Sequence, residues 1–443
     1  LRENPTWSAA TSTANTVTAL FVLDPALFEA AGHFRQQALV AHLDGLDQMM
    51  REYGGRLRIE HGDPVQVVPR VATELNATVH WNIDTTPYAT RRDEAVTSAL
   101  AAAGAAEPVT HWGTLVHEPG RVLTGKGTLS KVFTPFAKVW DRTDLRPWAE
   151  GIGPAEVANE PGQPRPQVAG SVDFPGGEVA ARARVGDFLD RIDDYLDQRD
   201  LPAIDGTSLL SGDLRFGTLS PRELMHVAGD STEGRRGFVR QLAWRDWYAH
   251  LLWQNPGMVR AAIKPDYDKV LWRNDPDEYE AWKRGRTGYP IVDAGMRQLW
   301  KTGFMHNRVR MIVGSFLVKD LLIDWRWGER WFRHLLVDAD VSQNVGNWQW
   351  VAGCGTDAAP YFRVFNPWTQ SRKFDPQGEY IRRWVPELAE LTGDAVHEPA
   401  KAAPLDLAAG GVTLGDTYPH PIVDHAFARD RVLTAYKTAL GKI

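Results

Sequence analysis

Between residues 301 and 367 the chain threads Asn307, Arg308 and Arg310 among apolar residues at helical spacing, then sets Asp338, Asp340 and Asn344 just ahead of Trp348 and Trp350. An amphipathic helix with that many donors beside its apolar stripe suits the wall of a pocket. Carboxylates and a carboxamide within two or three turns of paired indoles suit a flat, hydrogen-bonding heterocycle. A Trp-rich core with satisfied ion pairs would use the same residue types, so their order and spacing carry the argument. Earlier in the chain, Tyr195 is followed by Thr207, Ser208, Leu210 and Ser211 in "DGTSLLSGD". Small hydroxyls and backbone amides in one turn can hold a phosphate, although Ser and Thr also cap helices, which is the reading for Ser220 before Pro221. In "FVRQLAWRDWYAHLL", Gln241, Trp244 and Tyr248 share one helical face, with Phe238 and Arg245 on the same segment.

The runs "MHNRVRM", "DWRWGERWF", "VDAD" followed by "NVGNWQW", and "GTDAAPYFRVFNP" occur together and in this order. They resemble the flavin-binding core of the photolyase and cryptochrome family, and within it most closely a class I cyclobutane pyrimidine dimer photolyase. "FTPF" at 133–136 is a further landmark, and the resemblance covers nearly the whole chain, most strongly 195–388. It implies FAD as cofactor, with Tyr195, Thr207, Ser208, Leu210, Ser211, Phe238, Arg245, Asn307, Arg310, Asp338, Asp340 and Asn344 around it. Asn344 matches the residue facing flavin N5, where plant cryptochromes carry aspartate; an amide supplies no proton there. The implied substrate is UV-damaged DNA, met by Gln241, Trp244, Arg308, Met311 and Trp350. Trp348, Trp325 and Trp272 match three tryptophans that relay an electron to photoexcited oxidised flavin, and Trp327 and Trp331 crowd the middle member.

The implied activity is that of a deoxyribodipyrimidine photo-lyase: light-driven splitting of cyclobutane dimers by an electron from excited, fully reduced FAD. A cryptochrome-like photoreceptor without repair is the main alternative, because dimer photolyases usually carry glutamate where Gln241 stands. Repair of (6-4) photoproducts is the weaker one, since Asn307 and Met311 occupy the places of that subclass's two histidines and His306 is the nearest replacement. Phe238 replaces a frequent tryptophan. "NIDTTPY" resembles the antenna-side motif of deazaflavin-using members, so Arg35, Asp84 and, from a flexible loop, Lys126 are candidates for an 8-hydroxy-5-deazaflavin antenna, with folate less favoured. The family opens on a strand leading into "WFRRDLR", and residues 1–5 resemble the segment just after that motif.

The elements that must position these groups fall into two kinds. From 16 to 112, strand-like runs (16–24, 56–64, 78–84, 107–112) alternate with helix-like ones, which predicts an open parallel sheet of Rossmann-like, doubly wound type. No G-x-G-x-x-G follows a strand, so an ordinary dinucleotide fold has little support. The Pro- and Gly-rich stretch 151–176 reads as a long surface linker, and helical patterns dominate afterwards. The expected domains are therefore an α/β antenna domain (1–130), a connection (131–176) and an all-α FAD-binding and DNA-binding domain (177–443). A helix is expected to span 305–322.

Composition bounds the rest. One cysteine among 443 residues excludes an intrachain disulfide or a cysteine-ligated metal cluster and suits a reducing interior. A formal charge of -6 shows no global field for nucleic acid, so DNA binding requires a local basic face. No apolar run reaches 18 residues and no signal peptide pattern opens the chain, which predicts a cytoplasmic protein without membrane contact or obligate protein partner, and a monomer. Eighteen tryptophans, about twice ordinary usage, favour a function that uses indoles.

Overall fold

Six short strands form among the described residues, all before residue 160: β1 (Thr16–Val17), β2 (Ala19–Leu23), β3 (Leu57–His61), β4 (His80–Asn82), β5 (Val109–His111) and β6 (Glu156–Val157). They pair in parallel as β1 with β6, β2 with β3, and β4 with β5. Parallel partners need a crossover, which the helices His33–Glu52 and Pro87–Ala102 supply. The structure, a computed structural model, describes residues 2–170 and 175–442.

The polypeptide divides into two compact units. The first comprises Leu1–Asp193, Ser208–Pro256 and Val337–Gln343, the second Asp194–Thr207, Gly257–Leu336 and Asn344–Ile443. This division differs from the boundary expected at 176. The reason is visible inside the first unit, where Asp246 of the helix Glu233–Gln254 accepts hydrogen bonds from the Val116 and His117 amides (3.2 and 2.9 Å) and from Trp140 Nε1 (2.9 Å). A fully buried carboxylate with three donors ties that helix to the α/β segment.

The stretch 151–176 is also not a simple surface connection. Its first half adds β6 to β1, and 158–163 runs along β3 through Arg56 N to Ala158 O (2.9 Å), Ile59 N to Pro161 O (3.0 Å) and Gln163 N to Ile59 O (2.7 Å). Proline and glycine hid an extended segment that lacks hydrophobic alternation; the rest of the expected linker includes 171–174, which lie outside the described residues. Val157 packs with Val17, Leu43, Met50, Leu57 and Ile59 in the core of this unit. Gly45 lets the helix His33–Glu52 meet the chain at Gly177, since a Cβ on Gly45 would stand 2.5 Å from Gly177 Cα.

Helix starts follow local rules. Asp24-Pro25, Asp63-Pro64, Thr86-Pro87, Asp275-Pro276 and Asn366-Pro367 each put a capping oxygen ahead of a proline whose missing N–H costs nothing at a helix start. Asn4-Pro5 starts the helix Pro5–Thr13 in the same way. The second unit is helical. Its helix at 305–322 is not continuous: Asn307–Ser315 is α-helical, and Phe316–Asp320 widens into a π turn in which Leu321 N reaches Phe316 O (3.0 Å). Periodicity cannot separate the two, because every residue from 312 to 323 is buried. No helix among the described residues is long and apolar enough to cross a membrane.

Candidate functional site

In the first unit residues 208–210 lead into the short helix Ser211–Phe216. Leu209 holds φ 54°, the left-handed region that a branched side chain seldom adopts, and Ser208 Oγ accepts from Leu210 N at 3.4 Å. Such strain in a non-glycine residue clusters at ligand clamps, and alternating backbone hands direct successive N–H groups to one side. Leu210 is buried, and the exposed Ser211 donates its hydroxyl to Asp338 Oδ2 at 2.6 Å. Arg215 Nε donates to Ala339 O at 3.0 Å, and Arg245 Nη2 stands 4.0 Å from Asp340 Oδ2. Burial raises the Asp340 pKa, but Arg245, Arg215 and donors from Ser342 and Gln343 outweigh it, so this carboxyl is held below its usual range. Ser211 and "VDAD", about 130 residues apart, thus meet in one unit.

Trp244, on the helix Glu233–Gln254, stacks on Phe133 with centroids 3.6 Å apart and planes 11° apart, and Arg240 covers the same phenyl ring at 5.0 Å. The half-buried indole has one face engaged by the "FTPF" segment. Gln241 and Tyr248 flank it as their spacing required, and Gln241 Nε2 donates to Gly237 O at 3.0 Å. Phe238 is buried against Phe188. Asp84 accepts from Thr86 N (2.8 Å) in a turn after β4, Arg35 is half-buried on its helix, and Lys126 is exposed in the 124–128 turn. Tyr88 hydrogen-bonds Asp24 after β2, and burial with that carboxylate pushes its hydroxyl up to about 12.

In the second unit Asn344 Nδ2 donates to both Glu329 O and Glu329 Oε1 at 2.9 Å. A backbone carbonyl only accepts, so the amide is fixed with its nitrogen on Glu329 and its oxygen turned away. Trp348 is buried against Phe332 (5.0 Å) and Trp282 (6.4 Å). Trp325 is buried at the start of its helix, while Trp272 and Trp350 are half-buried. Tyr195 is buried beside Arg199 (5.3 Å), and Thr207 is half-buried. Asn307 is exposed at the first residue of its helix, Met311 is half-buried, and Arg310 Nε donates to Met305 O (2.7 Å).

Arg308 pairs with Asp200 (2.8 Å) and lies 4.3 Å from the Phe374 ring. Together with Arg363, Asn366 and Lys373 these residues line an open cavity of about 410 Å³ in the second unit. Other basic residues nearby are engaged: Arg372 with Asp394 and Glu398, Arg382 with the Leu391 and Gln377 carbonyls, Arg383 with Ala203 O. Asp200, Glu329 and Leu209 had escaped notice in the sequence. Each is an ordinary residue type without local motif, and only tertiary contact or backbone twist gives it a role.

Parallel strands in an α/β region, a helical region after it, and hydroxyl, carboxylate, amide and indole groups assembled on both define the class of photolyases and cryptochromes, which are flavoproteins. Residues 1–155 match the family model described as DNA photolyase, and 238–438 match that of the FAD binding domain of DNA photolyase. The chain belongs to the DNA photolyase family. It is 41% identical over 416 residues to the deoxyribodipyrimidine photo-lyase of Agrobacterium fabrum, covering 89% of this chain and 86% of the relative. It is 40% identical to the protein of that name from Escherichia coli, covering 96% and 93%. Among solved structures, a bacterial class III photolyase from Agrobacterium tumefaciens superposes with TM-score 0.92 at 37% identity, covering 100% of this chain and 95% of that one. A Synechocystis cryptochrome superposes at TM-score 0.86 and 31% identity, covering 95% and 93%.

The class III match overturns the expected likeness to class I. The class I reading rested on flavin-core motifs, whose chemistry follows from the cofactor and separates subclasses poorly.

Proposed function

We propose that this chain binds FAD and splits cyclobutane pyrimidine dimers in DNA with light. The observation that carries the reading is the Asn344 amide held by Glu329: a side chain without a transferable proton, locked in one orientation. The donor set fits the cofactor's chemistry, with hydroxyls and a left-handed turn at 207–211 suited to a diphosphate, and Arg245 with Asp340 suited to a polar ring edge or ribityl chain. Bound in its fully reduced form, FAD supplies a light-excited electron donor.

The protein's share is orientation and exclusion of water. Trp244 and Trp350 offer stacking surfaces, Met311 an adaptable apolar wall, and Gln241 an amide for a base edge. Arg308, Arg363 and Lys373 give the local positive face that net charge does not, so phosphates would be held at the second unit's cavity. Extruding a dimer costs less than flipping intact bases, because its pairing is already weakened. Trp272, Trp325 and Trp348 would carry electrons inward to restore the reduced cofactor. Arg35 and Asp84, near the C-terminal ends of parallel strands, are the antenna candidates for a deazaflavin; Asp84 also serves its own turn.

Signalling without repair is the second reading, favoured by the Synechocystis cryptochrome likeness and by Gln241. The (6-4) reading loses its acid: His306 Nδ1 accepts from Arg308 N (3.2 Å), and burial lowers its pKa to about 4. The deciding assay illuminates the dithionite-reduced protein with blue or near-ultraviolet light in the presence of a thymine-dimer oligonucleotide. Light-dependent loss of dimer supports repair, and no loss, or loss in the dark, defeats it.

A further inference from the structure

Trp348 rests on bare backbone. Its six-membered ring lies over Gly328, where an added Cβ would come 2.1 Å from Cη2 and 2.6 Å from both Cζ2 and Cζ3. Real Cβ atoms do not approach so closely, and the obstacle is a rigid indole buried on all sides, so it has no flexible end to swing aside. Gly328 belongs to the helix Trp325–Leu335, one turn after Trp325. Residues 325, 328 and 332 share a face of that helix, and Phe332 meets the same indole at 5.0 Å. The missing side chain at 328 therefore lets Trp348 sink onto the turn that begins with Trp325. Across the same ring Gly314 is different: a Cβ there would lie 3.6 Å from Cη2 and Cζ3, an ordinary contact.

We infer that Gly328 is a positioning residue that sets the Trp348-to-Trp325 separation for electron hopping. The inference rests on the relay proposed above. In that relay, a Trp348 that had lost one electron to bound, light-excited oxidised flavin would take one electron from Trp325, with no bond made or broken. Transfer between rings falls steeply with distance, so lifting Trp348 off its seat slows this hop against charge return.

The test compares wild type, Gly328→Ala, Gly314→Ala and Trp348→Phe by FAD content, thermal unfolding, near-ultraviolet circular dichroism and the yield of flavin photoreduction. Gly328→Ala is expected to change the indole dichroism and lose most of the photoreduction, whereas Gly314→Ala keeps both. Full photoreduction by Gly328→Ala with wild-type dichroism overturns the inference alone. Full photoreduction by Trp348→Phe overturns the relay and the inference with it. Should Gly328→Ala not fold, adding Trp348→Phe removes the clashing ring atoms and is expected to restore folding and FAD content; failure to restore them overturns the inference as well.

Discussion

Asn344 and Glu329 face each other with the amide nitrogen of one 2.9 Å from both the backbone carbonyl and the carboxylate of the other. Both contacts end on acceptors, and Arg333 holds the carboxylate from the other side at 3.2 Å. Asn344→Asp would set a second carboxylate among acceptors in a buried place. Ionised, it is repelled; protonated, it keeps one of the two bonds. The expected cost is about 2 to 4 kcal/mol of stability at neutral pH, shrinking as pH falls. Denaturant unfolding at pH 7.5 and 5.5 measures it, and equal midpoints for variant and wild type would remove Glu329 from the account of Asn344.

Gln241 donates to the carbonyl one turn back on its own helix, a contact it gives up at little cost. Gln241→Glu is therefore expected to leave affinity for dimer-containing DNA equal or higher, while Gln241→Ala should lower it by the equivalent of about 1 to 3 kcal/mol. Titration of a labelled dimer oligonucleotide checks both. Unchanged affinity in the alanine variant would place Gln241 outside the substrate contacts.

The α/β alternation and the helical remainder were legible because period and turn chemistry are local properties, whereas the contact of Ser211 with Asp338 is a tertiary one that no local pattern announces. The strand at 156–157 was not, since two residues among prolines and glycines carry no period and pairing with β1 alone defines them. The π turn at 316–320 was hidden by complete burial, which erases the contrast that distinguishes faces. Asp200 and Glu329 were invisible for a third reason: a partner residue is chosen by tertiary proximity, and any carboxylate in the chain could have filled the place.

Two histidines of the first unit should make the fold sensitive to mild acid. His42 Nδ1 accepts from Gly177 N (3.2 Å) and neighbours Thr218 Oγ1 (2.8 Å), so it carries no proton, and burial with nearby Arg184 lowers its pKa to about 4. Burial lowers His117 to about 4 as well, its Nε2 proton going to Trp140 O. Both values lie below the ordinary 6.5, so the unfolded chain takes up protons first. The stability they contribute is complete above about pH 6.5 and is lost as pH falls toward 4, at about 1.4 kcal/mol per pH unit per histidine. Urea midpoints between pH 7.5 and 5 measure the slope, and a His42→Asn variant should show a shallower one.

If Arg308 meets DNA as proposed, Asp200 would compete for it. The 2.8 Å pair holds the guanidinium at the cavity edge, and a phosphate would have to share or replace that carboxylate. Arg308→Ala is expected to weaken binding to damaged and undamaged duplex alike and to reduce the slope of log K against log salt by about 1, as loss of one phosphate contact requires. Asp200→Asn should strengthen both. An unchanged slope in the alanine variant would show that Arg308 does not meet phosphate.

Lys319 sits in the π turn with its ammonium 4.0 Å from the centre of the Tyr436 ring and 3.3 Å from the Ala352 and Tyr361 carbonyls. Two long hydrogen bonds and a ring face replace its water incompletely, and no carboxylate pairs with it among the described residues. Burial consequently lowers its pKa from 10.5 to about 7, against a small opposing effect of Cys354. The folded value lies below the unfolded one, so between about pH 10.5 and 7 the unfolded chain binds the proton more readily. The penalty on the fold is absent at the alkaline end and grows as pH falls, by about 1.4 kcal/mol for each unit of the depression. Methionine has nearly the same length and volume without the charge, and substitutions of this kind are often neutral or stabilising. Lys319→Met is therefore expected to stabilise the protein at pH 7 and to lose most of that advantage by pH 10. Guanidinium midpoints of variant and wild type at the two pH values check it, and a pH-independent difference would mean that the lysine carries the same charge state in the folded and unfolded protein.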